Sequence, residues 1–341
     1  MNLLSVRSAF PDAYYTQSEC LASMREANFW DELKPSSRNL LAKVLTGDSG
    51  IDGRHFCLEQ LPQAWKLDAE GLNNYYEKSA PALATNAVRK ALDDASLSPS
   101  DVDVIFVSSC TGYLCPGLSS HVAEQLGLRA DVFMQDMTGF GCGAAVPLIR
   151  AAQGIIKTNP DLVAVTVSVE VCSAAFYVEN DVGVLVSTCL FGDGAAAAVW
   201  GGRGGGWQVD HFQSLHIPEE REKIRFTNAE GKLRNQLHRT VPELAGETVN
   251  ELYQKRTTDP DEWITHGGGR DVIEQLEEVL PVKKLTYARE VMRKYGNLSS
   301  PSVLVALEQF LNENHDNAEH LWMCAFGAGF SAHSCELKRI S

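Results

Sequence analysis

Three side chains able to do chemistry together stand in glycine-rich settings far apart in the sequence. Cys142 lies in GFGCGAA, ahead of residues that read as a helix start. His266 follows an apolar strand pattern in WITHGGG, and Asn297 follows Gly296 in YGNLSSPSV. A thiol attacks as its thiolate; its ordinary pKa is about 8.5, and a place in the first turn of a helix lowers it. Flanking glycines let a carbonyl substrate approach backbone amides that stabilise an oxyanion. Taken one at a time, these residues read equally as a packing cysteine, a satisfied core histidine and a turn asparagine. Together, in this order, they fit a nucleophile with a histidine and an amide donor, a set that a hydrolase could also use.

The rest of the chain must be large enough to position them. It has 341 residues, 44% apolar and 22% charged, the balance of a folded protein with room for two core-forming units. The formal net charge of −14 argues against nucleic acid and against anionic membrane surfaces as partners. The start, MNLLSVRSAFPDAYY, shows no signal-peptide pattern, and the longest apolar runs fall short of a membrane span. Nine cysteines without a CxxC pair suggest a reduced, cytoplasmic thiol set and no structural zinc. His315, Asp316 and His320 in NENHDNAEH read as a solvated loop, so no metal site is expected there.

Strand patterns at 2–7, 101–109, DVFMQDM, 162–172 and GAAAAVW alternate with helical ones at 81–95, SSHVAEQLGL and GAAVPLIRAAQGIIKT. This alternation predicts an α/β chain with a parallel or mixed sheet covered on both faces. GGRGGG (201–206) is the sharpest break in composition; without a Lys-Ser/Thr ending it reads as a linker, not a phosphate loop. Beyond it the style repeats: strands at GWQVDHFQSLHI and EWIT, helices at VPELAGETVNELYQK, RDVIEQLEEVL, TYAREVMRKYG and SPSVLVALEQFLNEN, and two final strands around a glycine turn. Two halves of similar design suggest a duplicated unit.

At this point a resemblance becomes specific. SSCTGYLCPGLSSHVAEQLGLRADV, GFGCGAA, LFGDGAAAAVWG, WITHGGG, YGNLSSPSV and AFGAGF occur in the order found in condensing enzymes of the thiolase superfamily. The chain most resembles a type III polyketide synthase of the chalcone-synthase kind. That resemblance implies a layered αβαβα thiolase-like fold of two duplicated halves, 1–204 carrying the nucleophile and 205–341 carrying the histidine and asparagine. It implies a homodimer with TGYLCPG at the interface. It also implies roles. Cys142 would hold an acyl starter as a thioester, with His266 helping to keep it as thiolate. His266 and Asn297 would stabilise the enolate left when a malonyl unit loses carbon dioxide, and that enolate would attack the acyl group in a Claisen condensation. Acyl-CoA and malonyl-CoA, or acyl carrier protein thioesters, would be the substrates; no cofactor is implied. Phe191 would be a gatekeeper, Gly327 and its neighbours would line the site opposite Cys142, and Ser299 belongs to the Gly-Asn-x-Ser-Ser motif.

The chain also departs from the family pattern. Ala328 replaces a proline in the last glycine motif. Cys115 stands where plant members place a methionine that reaches into the partner's cavity. A second gatekeeper falls near Asn235. The basic run that holds coenzyme A phosphates is matched by TGDSGIDGRHF, with Asp48 and Asp52 beside Arg54, which leaves room for an acyl carrier protein; REKIRF and KLRNQLHR offer other basic groups. The rival readings are a single-condensation enzyme like β-ketoacyl-ACP synthase III and a catalytically silent ketosynthase-like subunit.

Overall fold

The computed structural model describes residues 1–313 and 317–340. The first half opens with β1 (Asn2–Ala9), then a cap of β2 (Tyr14–Thr16), α1 (Gln17–Arg25), α2 (Phe29–Glu32), α3 (Pro35–Thr46), β3 (Gly53–His55) and α4 (Leu61–Ala64). It continues with α5 (Ala69–Asp94), β4 (Val104–Ser108), α6 (Leu118–Leu126), β5 (Phe133–Met137), α7 (Ala145–Thr158), β6 (Ala164–Glu170), α8 (Val182–Leu190) and β7 (Gly194–Gly201). The second half runs β8 (Trp207–His216), β9 (Ile224–Ala229), β10 (Lys232–Leu237), α9 (Val241–Tyr253), β11 (Glu262–Thr265), α10 (Arg270–Val279), α11 (Thr286–Tyr295), α12 (Ser302–Asn312), β12 (His320–Gly327) and β13 (Ser331–Arg339).

One mixed sheet has the order β11-β12-β13-β8-β1-β7-β6-β4-β5. Its two parts repeat. β1 pairs antiparallel with β7, β7 with β6, and β6 lies parallel to β4. Likewise β8 pairs antiparallel with β13, β13 with β12, and β12 lies parallel to β11. The parts meet at a seam of two residue pairs, Asn2 with Gln208 and Leu3 with Trp207.

Alternation along the strands makes the layers, because successive side chains leave opposite faces. Val104, Phe106, Ala196, Ala198 and Trp200 pack on α7 and α12, together with Leu321, Met323 and Ala325 from the other half. Ile105, Val107, Ala195, Ala197 and Val199 face outward onto α5 and α6. Trp322, Cys324 and Phe326 face outward onto α9 and α10. The layers are therefore α5/α6, half-sheet, α7/α12, half-sheet and α9/α10, the αβαβα order expected. The central helix α12 is buried at every position from Ser302 to Leu307, as a helix apolar all round should be.

Two expectations need correction. α5 begins at Ala69 rather than 81; its first turns bury only the narrow stripe Leu72, Tyr76 and Ala80, too thin to show as periodicity. The hairpin β9–β10 stands where no strands were expected, turning at Glu230 and Gly231, both at positive φ, the backbone a two-residue hairpin turn favours. The cap helices α1, α3 and α4 share a core with α8. His315 and Asp316 lie outside the described residues, and His320 opens β12.

Candidate active site

The nucleophile turn follows from backbone packing. A single tight turn, Gly141–Gly143, runs through Ala144 (φ −63°, ψ −30°) into α7, so Cys142 sits in the first turn of a continuous helical run. Gly141 has φ +53° and borders the cavity, a conformation glycine adopts without cost. Gly327 has a different reason to be glycine. A Cβ there would stand 2.7 Å from Gly143 N, 2.8 Å from Cys142 N and 2.8 Å from Phe140 O. Its expected place on the cavity wall belongs instead to its neighbours Ala328 and Gly329, while Gly327 packs on the amide of Cys142.

A cavity of about 580 Å³ opens above this turn. Cys142, Phe191 and Ser299 border it, as do Asn235, the position expected for a second gatekeeper, and Ile224, Phe226 and Leu237 of the β9–β10 hairpin. Arg221 and Arg225 of REKIRF border it too, whereas Arg234 is held by Glu179. Cys115 is exposed and takes no part in its own chain's cavity.

Asn297 and His266 stand behind the wall. Asn297 donates from Nδ2 to Gly268 O (2.7 Å) and accepts on Oδ1 from Ser299 N (2.7 Å). Its backbone bridges Phe191, donating to Leu190 O (2.9 Å) and accepting from Gly192 N (3.0 Å). One carboxamide thus ties the loop after His266, the gatekeeper segment and Ser299 together. Ser299 is a non-glycine residue at φ +59°, an outlier of the kind that sites retain. His266 extends the parallel pairing of β11, its amide donating to Cys324 O (2.9 Å), and its ring lies 5.1 Å from that of Phe326. The residue after Phe326 is Gly327, on the Cys142 amide. Among the described residues Cys142 Sγ has no direct hydrogen bond to His266 or Asn297.

The electrostatics overturn one expectation. Burial pushes the Cys142 thiol up to about 12; Ser299 and the residue's own amide oppose the rise, and Glu170 adds to it. Desolvation therefore outweighs the helix start. Burial likewise pushes His266 down to about 3, and its Nδ1 is buried without a partner. Both shifts favour the uncharged forms, thiol and neutral imidazole, in the free chain, with the imidazole joined to the Cys142 turn only through Phe326 and Gly327.

Two residues escaped the sequence reading. Glu170 ends β6, fully buried, and accepts from Cys110 N (3.0 Å), Thr111 Oγ1 (2.9 Å) and Ser300 Oγ (2.6 Å). A lone carboxylate in the apolar run AVTVSVEVC was the available signal. Arg54, taken as part of a carrier-binding stretch, is buried and donates to Gln17 Oε1 (3.0 Å), Thr188 O (2.8 Å) and Phe191 O (2.9 Å). It positions the Phe191 segment, and nothing in its sequence neighbourhood announced that.

Family models account for nearly the whole chain. Residues 15–207 match "FAE1/Type III polyketide synthase-like protein" and residues 209–340 match "Chalcone and stilbene synthases, C-terminal domain". The chain belongs to the type III polyketide synthase family. Among relatives of this type III polyketide synthase is the 1,3,6,8-tetrahydroxynaphthalene synthase of Streptomyces coelicolor, 31% identical over 305 residues, covering 86% of this chain and 81% of the relative. The phloroglucinol synthase of Pseudomonas fluorescens is 25% identical over 307 residues, covering 86% and 88%. The solved structure of the Streptomyces coelicolor tetrahydroxynaphthalene synthase superposes with a TM-score of 0.88 at 26% identity, covering all of both chains.

Proposed function

We propose that this chain builds polyketides by decarboxylative condensation of malonyl units onto an acyl starter carried by Cys142. The observation that carries the reading is Cys142 at a helix start on the floor of a chamber of about 580 Å³, with Asn297 and Ser299 tied into its wall. Loading moves the acyl carbonyl carbon from the carrier's sulfur to Cys142 Sγ, and the thiol proton ends on the departing carrier thiolate. His266, neutral and adjoining the Cys142 turn through Phe326 and Gly327, is the base that takes this proton in passage. Decarboxylation then leaves charge on the malonyl thioester oxygen. We assign His266 and Asn297 as the donors to that oxygen, the Asn297 amide leaving Gly268 O to reach it, and such donors contribute most where water is excluded. The enolate carbon attacks the acyl carbonyl and releases Cys142 for another round.

Relatives named for tetrahydroxynaphthalene and phloroglucinol make rings with alternating oxygenated carbons, the pattern that repeated two-carbon addition and ring closure leave. That favours repeated condensation over a single one. It equally disfavours a silent subunit, since the sequence retains Cys142, His266 and Asn297.

Coenzyme A is the carrier we assign. Asp52 pairs with Arg293, and Asp48 accepts through its carbonyl from Arg270. The loop they occupy borders an open cleft of about 660 Å³ that Lys283 and Lys284 also line. Cations missing from the local sequence are thus brought to that loop by α10, α11 and the turn between them. The reaction as proposed needs no metal or redox cofactor. Among the described residues no His, Cys, Asp and Glu cluster is suited to a metal ion.

We infer a homodimer from the sheet edge. β5 ends the sheet with an unpaired side, Phe133 and Met134 are exposed, and Tyr113 beside Cys115 is 80% exposed. An open apolar strand edge is a place for a second chain to pair, which would carry Cys115 toward the partner. No helix among the described residues is long and apolar enough to cross a membrane, and all nine cysteines are free, which fits a reducing cytoplasm.

Intact-protein mass spectrometry after incubation with a panel of acyl-CoA and acyl-carrier starters tests the reading. The expected result is one acyl adduct that maps to the Cys142 peptide from a CoA ester. An enzyme that takes no acyl group from any carrier would sink it.

A further inference from the structure

Three thiols border one chamber: Cys110, Cys142 and Cys172. A reactive thioester entering it has three sulfurs within reach, yet only an acyl group on Cys142 is placed for condensation. Something must select among them. Glu170 receives Ser109 Oγ at 3.4 Å and Ser299 Oγ at 3.3 Å in addition to the three donors already described. Its sixth donor is the Cys110 thiol, Sγ to Oε1 at 3.2 Å. Among the described residues no cation pairs with this carboxylate; burial raises its pKa, and the hydrogen bonds oppose that rise.

The same carboxylate meets the two sulfurs differently. Cys110 lies directly on it through both thiol and amide. Cys142 meets it through Ser299, whose Oγ is also 3.6 Å from Cys110 Sγ. Titratable groups facing Cys110 are Glu170, Cys142, Cys172 and, beyond Ser109, Tyr76; none of them is a cation that would favour a thiolate. Ionising Cys110 would discard this hydrogen bond and set a thiolate against the carboxyl group. Burial and the adjacent carboxylate push Cys110 well above the ordinary thiol range.

We propose that Glu170 is a positioning residue for thiol selection: its carboxylate holds Cys110 as a hydrogen-bonded, unreactive thiol, so that Cys110 does not compete with Cys142 for the acyl group. The proposal rests on the reading that Cys142 carries the acyl group. A mistaken transfer would form a Cys110 Sγ–acyl bond, break the carrier's C–S bond and send the thiol proton to the carrier thiolate. That is the transfer prevented.

Site-resolved alkylation tests it without substrate. Brief treatment with iodoacetamide and peptide mapping should modify Cys142 ahead of Cys110 in the native enzyme. In Glu170→Gln, Cys110 alkylation should rise at least about tenfold, the change in thiolate fraction for one pKa unit. Equal rates at Cys110 and Cys142 in the native enzyme, or an unchanged Cys110 rate in folded Glu170→Gln, would overturn the proposal. Should Glu170→Gln fail to fold, Cys142→Ser decides. Incubated with acetyl-CoA it should take up no acyl group, and an adduct on Cys110 would overturn the proposal. Absence of acylation on native Cys142 would instead count against the condensing function, leaving the alkylation result to judge Glu170.

Discussion

The two central helices, α7 and α12, hold equivalent places in the repeated halves, yet their N-terminal ends are built differently. α7 is entered through glycines because another backbone, at Gly327, lies against its first turn. α12 is entered through Asn297, Ser299 and Ser300, whose side chains are committed to Gly268, Ser299 N and Glu170. Each helix turns its positive end toward the same spot. One end presents a sulfur. The other supports a buried carboxylate and fixes an amide. A duplicated frame thus delivers two electrostatically similar ends, and side chains decide which becomes the nucleophile and which the scaffold.

Removing the sulfur should separate the two ends most sharply. Cys142→Ala is expected to lower condensing activity at least about a thousandfold, as loss of a nucleophile does, measured as product formed from malonyl-CoA and a starter. Substantial condensation by this variant would mean that the α7 end is not the reacting one. Asn297→Ala should cost roughly a hundred- to a thousandfold in decarboxylation while acyl loading on Cys142 persists. Equal loss of loading and decarboxylation would show that the α12 end supports the nucleophile too.

Packing gives a smaller effect. Gly327→Ala puts a methyl 2.7 Å from Gly143 N, whereas Gly143→Ala meets Gly327 N at 3.3 Å. Overpacking of the first kind costs about 2 kcal/mol, so Gly327→Ala should lower Tm by more than Gly143→Ala. The reverse order would mean that the turn yields at Gly327.

The mildest test is pH. Folded Cys142 titrates at about 12, an unfolded thiol at about 8.5. Between these values the unfolded chain has lost a proton that the folded chain keeps. The thiol's contribution to stability is therefore complete below the lower value and is lost as pH rises through the upper one. His266, lowered to about 3, contributes above its unfolded value of about 6.5, and that contribution is lost as pH falls toward the folded one. Iodoacetamide should accordingly alkylate Cys142 faster with rising pH, without a plateau near neutrality. A plateau there would reveal a standing thiolate–imidazolium pair in the free enzyme.

The layers were legible because alternation and helical spacing report burial directly: Val104, Phe106 and Ile105 serve two cores from one strand. Cys142, His266 and Asn297 were legible because glycines and turns mark them. Glu170 and Arg54 were less so, because their partners come from segments distant in sequence and converge only on folding. The hairpin over the cavity was overlooked because its residues are half-buried and mostly polar. A lowered pKa for Cys142 was the wrong expectation, since a helix end is visible in sequence and the depth of burial that outweighs it is not.

Weighing the products made from malonyl-CoA and a starter acyl-CoA tests the central claim most directly. Carbon dioxide release with lactone or aromatic products heavier than the starter acid is the outcome this account requires. Release of free starter acid and coenzyme A, with no new carbon–carbon bond, would contradict it.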